Sequence, residues 1–207
     1  MYVRACTFAS VFILTLAHSQ KVVKKTLTNP KSKAFEIDAA HCYQVNLSTT
    51  DHTEIMVLAT IDGEYQKDLL ATIKEEGSNV IIRAGFSPNF IDPNDKLSAH
   101  KAIAIALDIS LPKNVDVAVF GTQANIAVKG LYKNLTIQLS DGDCWLDQVG
   151  ETVMVKTQKG NIYLRAKSGQ IKAKSKYGKV YGKAAPFGGT TYELYSVQGD
   201  IHLISTK

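Results

Sequence analysis

From Asn114 onward, apolar residues return in steps of nine. Val117, Ile126, Leu135, Cys144, Val153, Ile162, Ile171 and Val180 form one column. Two residues on, Val119, Val128, Ile137, Leu146, Val155, Leu164, Ala173 and Gly182 form a second. An i, i+2 apolar pair is strand alternation, with both side chains on one face. Between the pairs lie polar clusters that contain glycine, such as Ser140–Asp143, Gln158–Asn161 and Lys176–Lys179. Gly142, Gly160 and Gly178 recur every 18 residues, so the repeat is two strands and two corners. After an insertion around Ala184–Gly189 the register resumes with Tyr192, Leu194, Ile201 and Leu203.

Strands repeated in this way bury their inward pairs by stacking coil on coil, with equivalent strands parallel and roughly 4.8 Å apart. The pattern therefore predicts an all-β parallel β-solenoid, β-helix-like, of 18-residue coils, each of two nine-residue strand–turn units. Residues 113–207 carry the regular repeats, and residues 20–112 form a less regular N-terminal β cap within the same single domain. Strands are expected there at Ala34–Ile37, Cys42–Leu47, Ile55–Thr60, Leu69–Ile73, Val80–Arg83 and Ala102–Leu111. These are either early irregular coils or a small capping sheet. Phe86–His100, with two prolines, reads as a surface excursion.

Residues 1–19 read as a signal peptide. Met1–Arg4 is a short basic start, Ala5–Ala17 is an uncharged apolar run, and Ala17-His18-Ser19 puts small residues where a signal peptidase reads. The run falls short of the roughly 20 residues a spanning helix needs. The protein is thus expected to be exported to the periplasm, the cell surface or the medium, with no stable transmembrane segment after cleavage. Cys42 and Cys144 then remain, too few for a disulfide framework. Cys144 falls in the inward column, whereas alternation with Tyr43 and Val45 turns Cys42 outward.

Charge divides the chain. Residues 20–150 carry 13 Lys/Arg against 16 Asp/Glu, and residues 151–207 carry 10 against 3. A basic C-terminal third fits an anionic partner, and export excludes nucleic acid in favour of an envelope partner.

The search for catalytic chemistry returns little. Calcium-binding rolls need acidic corners throughout, whereas Asp141, Asp143 and Asp147 cluster in one corner and others carry Lys159, Lys167 and Lys176. His41, His52, His100 and His202 lack metal-ligand spacing. No nucleophile motif or phosphate loop is present. The chain reads as a non-enzyme without metal or cofactor. The alternative is a β-helix polysaccharide-processing enzyme, with Asp141 and Asp143 as its acidic candidates.

One outward pattern carries a binding hypothesis. Trp145, Tyr163 and Tyr181 are 18 apart, and His202 follows at the equivalent position beyond the insertion. Arg165 and Lys183 lie two residues after Tyr163 and Tyr181. An aromatic ladder beside a basic row suits sugar rings with acidic substituents. The competing reading is a ladder that only packs the sheet. The expected partner is a glycan or an envelope protein. Strand Ile201–Leu203 near the C-terminus would leave the solenoid uncapped, which invites an end-to-end homodimer.

The runs Ile61–Leu69, Lys74–Gly77, Pro93–Lys101 and Ser175–Lys179 resemble a family of exported bacterial proteins of unknown function, of Bacteroidetes type. The repeats are similar to the wider DUF4097-like, or putative adhesin, group. The resemblance implies a β-solenoid at or outside the envelope and assigns no catalytic residue.

Overall fold

A computed structural model of the chain describes residues 20–28, 30, 32–63, 66–91, 103–183 and 188–206. The expected signal peptide, residues 1–19, lies outside the described residues, as does 92–100 of the expected excursion. Every regular element among the described residues is a strand. The N-terminal ones are β1 (Lys21–Leu27), β2 (Ala34–Asp38), β3 (Gln44–Thr50), β4 (Ile55–Gly63), β5 (Leu69–Glu76), β6 (Asn79–Phe86) and β7 (Ile103–Pro112). The repeats form β8 (Asp116–Gln123), β9 (Asn125–Asp141), β10 (Cys144–Thr157), β11 (Ile162–Ala166) and β12 (Gln170–Ser175). The chain closes with β13 (Val180–Gly182), β14 (Thr191–Ser196) and β15 (Ile201–Ser205).

The strands join in one mixed sheet that divides into two ladders. The first runs β1-β4-β7-β3-β9-β10-β11-β15-β13. The second runs β5-β6-β2-β8-β9-β10-β14-β12. β9 and β10 serve both because each is long enough to turn from one to the other. Asn125–Lys129 belongs to the first ladder, and Asn134 onward to the second. β9 turns at Gly130, whose φ is +115°. A Cβ there would lie 2.2 Å from Thr49 Oγ1, so only glycine fits. β10 turns through two register shifts, between Asp147 and Val149 and between Gly150 and Thr152.

The inward columns are in register as the spacing predicts. Val45, Ile126, Cys144, Ile162 and Ile201 pair strand to strand and are all buried. Phe35, Val117, Leu135, Val153 and Tyr192 do the same on the second ladder. Each large apolar side chain so buried contributes about 1.5–3 kcal/mol. Ile126, Cys144 and Ile162 are paired neighbours separated by 18 residues in sequence, so this part of the ladder keeps the 18-residue step.

Four features differ from the sequence expectation. First, spatial order departs from chain order at the C-terminal end. β15 lies between β11 and β13, and β14 lies between β10 and β12. The β14–β15 pair is thus inserted between the strands that precede it, β10–β11 on one side and β12–β13 on the other. Second, the free edge at this end is β12 and β13, not the C-terminal strand, so Ile201–Leu203 does not offer the edge for the expected homodimer. β12 points Lys172 and Lys174 outward, and lysine along an edge resists pairing with another strand. Third, the N-terminal part combines parallel and antiparallel pairing. β2 and β3 pair parallel with β8 and β9 in the common register, whereas among the described residues antiparallel pairing is confined to β1–β4, β4–β7 and β5–β6. β1 is a strand that the sequence reading did not place. Fourth, Cys42 is buried, because it sits in the turn before β3 rather than in the strand alternation.

Candidate functional site: an aromatic ladder and its missing rung

The corners fix the register on which the outward face depends. At one corner, side-chain oxygens accept backbone N–H groups from the next coil. Asp143 donates to Asn125 Oδ1 at 3.0 Å, and Asn161 to Asp143 Oδ1 at 2.7 Å. Asp200 donates to Asn161 Oδ1 at 2.9 Å, and Lys179 to Asp200 Oδ1 at 2.7 Å. The relay has the inserted order, with Asp200 between Asn161 and Lys179. Asp141 Oδ1 accepts from the Gly142 N–H at 2.7 Å. Both acidic residues weighed for catalysis are therefore engaged in holding turns, where short acceptors suit backbone N–H groups.

The predicted aromatic residues do meet on the outer surface of the first ladder, in an order that differs from the sequence. Trp145 stacks on Tyr163 with centroids 5.4 Å apart and planes 5° from parallel. Tyr163 stacks on His202 at 4.8 Å and 8°. His202 stacks on Tyr181 at 5.0 Å and 15°. The order is Trp145–Tyr163–His202–Tyr181, so His202 is an interior rung instead of the terminal one. Ring spacing follows the strand spacing of about 4.8 Å, and each pair adds about 0.5–1.5 kcal/mol beyond its burial. Trp145 and Tyr181 remain exposed at 37% and 44%.

Stacking has a consequence for binding. Both faces of Tyr163 and of His202 are occupied by neighbouring rings, so neither offers a face to a ligand. Among the described residues, the ladder leaves an unstacked ring face only at its two ends, on Trp145 and Tyr181.

The basic row is only partly available. Arg165 donates from Nε to Asp147 Oδ1 at 2.9 Å, an exposed pair on neighbouring strands. Lys183 follows β13 and is exposed.

Beyond Trp145 the same outward row continues through Ala127, Asn46 and Asp108, on β9, β3 and β7. Ala127 has only a methyl group, so the row is interrupted there. A groove of about 390 Å³ opens at this point, bounded by Trp145, Asn46, Ser48, Asp108, Lys129 and Asp147 among others. Its volume lies within the roughly 300–1,000 Å³ of small-molecule sites. Its polar wall is ordered: Gln44 Nε2 donates to Asn46 Oδ1 at 2.8 Å, and Asn46 Nδ2 donates to Asp108 Oδ1 at 2.7 Å. Asn46 and Asp108 were missed from sequence because β3 and β7 lie outside the 18-residue register; Ala127 and Lys129 lie within it on β9, but an alanine among aromatic rungs and a lone lysine gave no binding signal.

Cys42 and Cys144 are buried and free. Burial, with the Asp38 carboxylate adding to it, pushes the Cys42 thiol up to about 12. Burial also raises the Cys144 thiol, with Asp143 contributing. Among the described residues, no helix is long and apolar enough to cross a membrane.

No protein-family model matches the chain. No curated protein matches it either. Solved structures do. The chain is similar to a "putative cell adhesion protein" from Clostridium sporogenes, with a TM-score of 0.57 and 11% identity over 91% of this chain and 100% of that one. A "putative adhesin" from Bacteroides fragilis aligns over 90% of this chain and 99% of that one, at 13% identity and a TM-score of 0.41. A "putative lipid binding protein" from Parabacteroides distasonis aligns over 88% and 96%, at 12% identity and a TM-score of 0.28. At such identities the likeness concerns fold alone, and the first of these structures is the one whose fold this chain shares.

Proposed function

We propose that this chain is an exported, adhesin-like, non-enzymatic protein, a solenoid-type β scaffold whose ladder face binds a glycan. The observation that carries the reading is the outward row of the first ladder. It places four stacked aromatic rings and a polar groove on one continuous, exposed surface. Aromatic faces take up the apolar side of a sugar ring, and ordered amide and carboxylate groups take up its hydroxyls.

The solenoid reading draws support from eleven parallel pairings, of which those joining β8, β9, β10 and β11 keep the 18-residue step except between the two register shifts of β10. The adhesin-like reading draws support from the shared fold with the Clostridium protein described as a "putative cell adhesion protein". The non-enzymatic reading draws support from Asp141 and Asp143, whose side chains hold corners. Export rests on the expected leader.

The test is binding of the purified protein to an array of glycans and envelope polysaccharides, beside the Trp145→Ala/Tyr163→Ala variant. Binding by the wild type that the folded double variant loses is the expected result. A folded wild type that binds no glycan overturns the reading and directs the search to protein partners.

A further inference from the structure

We infer that the gap at Ala127 is a sugar-binding slot, in which one uncharged pyranose ring takes the place of a missing rung against Trp145. The inference rests on the glycan reading above and specifies both its site and its ligand class.

Position is the first argument. In the outward row, Trp145 is paired with Tyr163 on one side and Ala127 on the other. The ring of Tyr163 covers one face of the indole and holds it nearly parallel to the ladder. The opposite face looks over Ala127, whose side chain is a methyl group, and borders the groove. Asn46 closes the far side of the gap, two strand spacings from Trp145, or roughly 9–10 Å. That width admits one ring stacked on the indole with hydroxyls reaching Asn46. Tyr163 thereby acts as a positioning residue for Trp145.

Chemistry is the second argument. Asp108 Oδ1 is held by Asn46, which is itself held by Gln44, so the carboxylate is oriented before a ligand arrives. Its Oδ2 is offered as an acceptor for sugar hydroxyls, and Lys129 on the adjoining row supplies a donor, while the Ser48 hydroxyl beside it is engaged with Ile109 O and Ser110 Oγ. A preorganised polar wall opposite an aromatic face is the arrangement that fixes a pyranose in one orientation.

Charge is the third. The groove is lined by two carboxylates, Asp108 and Asp147, against one ammonium, Lys129. Asp147 is already paired with Arg165. A further carboxylate on the ligand would meet like charge at Asp108. The slot therefore favours neutral hexoses over uronates, even though the C-terminal third of the chain is basic.

Trp145 is the single tryptophan of the chain, so its fluorescence reports occupancy of the slot directly. The experiment titrates the purified protein with neutral tetrasaccharides of glucose, galactose, mannose or N-acetylglucosamine, and with the corresponding uronate tetrasaccharides. The expected result is binding of a neutral tetrasaccharide with a change in Trp145 emission. Ala127→Phe, which fills the slot, should weaken that binding by about 30-fold, the loss of one anchoring contact. Asp108→Ala, which leaves the slot open, should weaken it by about tenfold. Phe120→Ala, on the second ladder, should leave it unchanged. Unfolding midpoints of each variant show that the fold persists. Wild-type affinity in both folded Ala127→Phe and Asp108→Ala, with binding lost in Trp145→Ala/Tyr163→Ala, would overturn the slot and leave the glycan reading standing. Tighter binding of uronates would overturn the ligand class. No binding of any saccharide would overturn both.

Discussion

Gly160 shows how little room a corner leaves. Its φ is +105°, and an added Cβ would lie 2.1 Å from the carbonyl oxygen of Gly142 on the neighbouring coil. Gly160→Ala combines left-handed strain with a clash against backbone and should lower stability by about 3 kcal/mol, read as a reduced urea midpoint at constant slope. Gly77 is also left-handed, yet a Cβ there meets nothing within 4 Å, so Gly77→Ala should cost only about 1 kcal/mol. Equal losses at the two sites would contradict the close-packed corner. Asp143 allows a parallel comparison. Asp143→Asn keeps an oxygen for the Asn161 N–H and should be near neutral, while Asp143→Ala should lose about 1 kcal/mol. At Cys42 burial raises the thiol pKa, so the neutral form persists at pH 8. Alkylation of the native protein at that pH should therefore modify Cys42 only as fast as the protein unfolds. Rapid labelling would show that the residue is not buried.

At the scale of elements, the inserted β14–β15 pair has the clearest consequence. β15 is paired on both sides, with β11 and β13, although it is the C-terminal strand. β12 and β13 each have one partner strand. Amide exchange should therefore be slow across Ile201–Leu203 and fast across β12 and β13. The reverse ranking would restore chain order as spatial order. The nine-residue spacing made the inward columns legible because each position repeats the same requirement, an aliphatic side chain facing the same core. It could not rank the coils, since any aliphatic column accepts any other as neighbour. The order Trp145–Tyr163–His202–Tyr181 was hidden for this reason, although all four rings were readable as outward. Cys42 was misread because strand alternation was carried into a turn. β1, with three lysines in seven residues, gave no alternation to read.

At the scale of the whole molecule, the face that matters is assembled from distant parts of the chain. The repeats supply the rings, the antiparallel cap supplies Asp108 through β7, and β3 supplies Asn46 between them. The rings were legible because their spacing follows the repeat. The groove was not, because it is defined by an alanine whose neighbours come from strands without that period. The ladder's interior faces are spent on stacking, which makes part of its role structural: Tyr163→Ala removes two stacked contacts. The central claim is that this face also meets the apolar side of a sugar ring. The direct test is a saturation-transfer difference spectrum, irradiating aromatic protein resonances in the presence of the strongest-binding glycan of the array. The account predicts transfer to the C–H groups of one ring face, and its loss in the folded Trp145→Ala/Tyr163→Ala variant. Transfer that persists in that variant, or the absence of any glycan that receives it, would contradict the account.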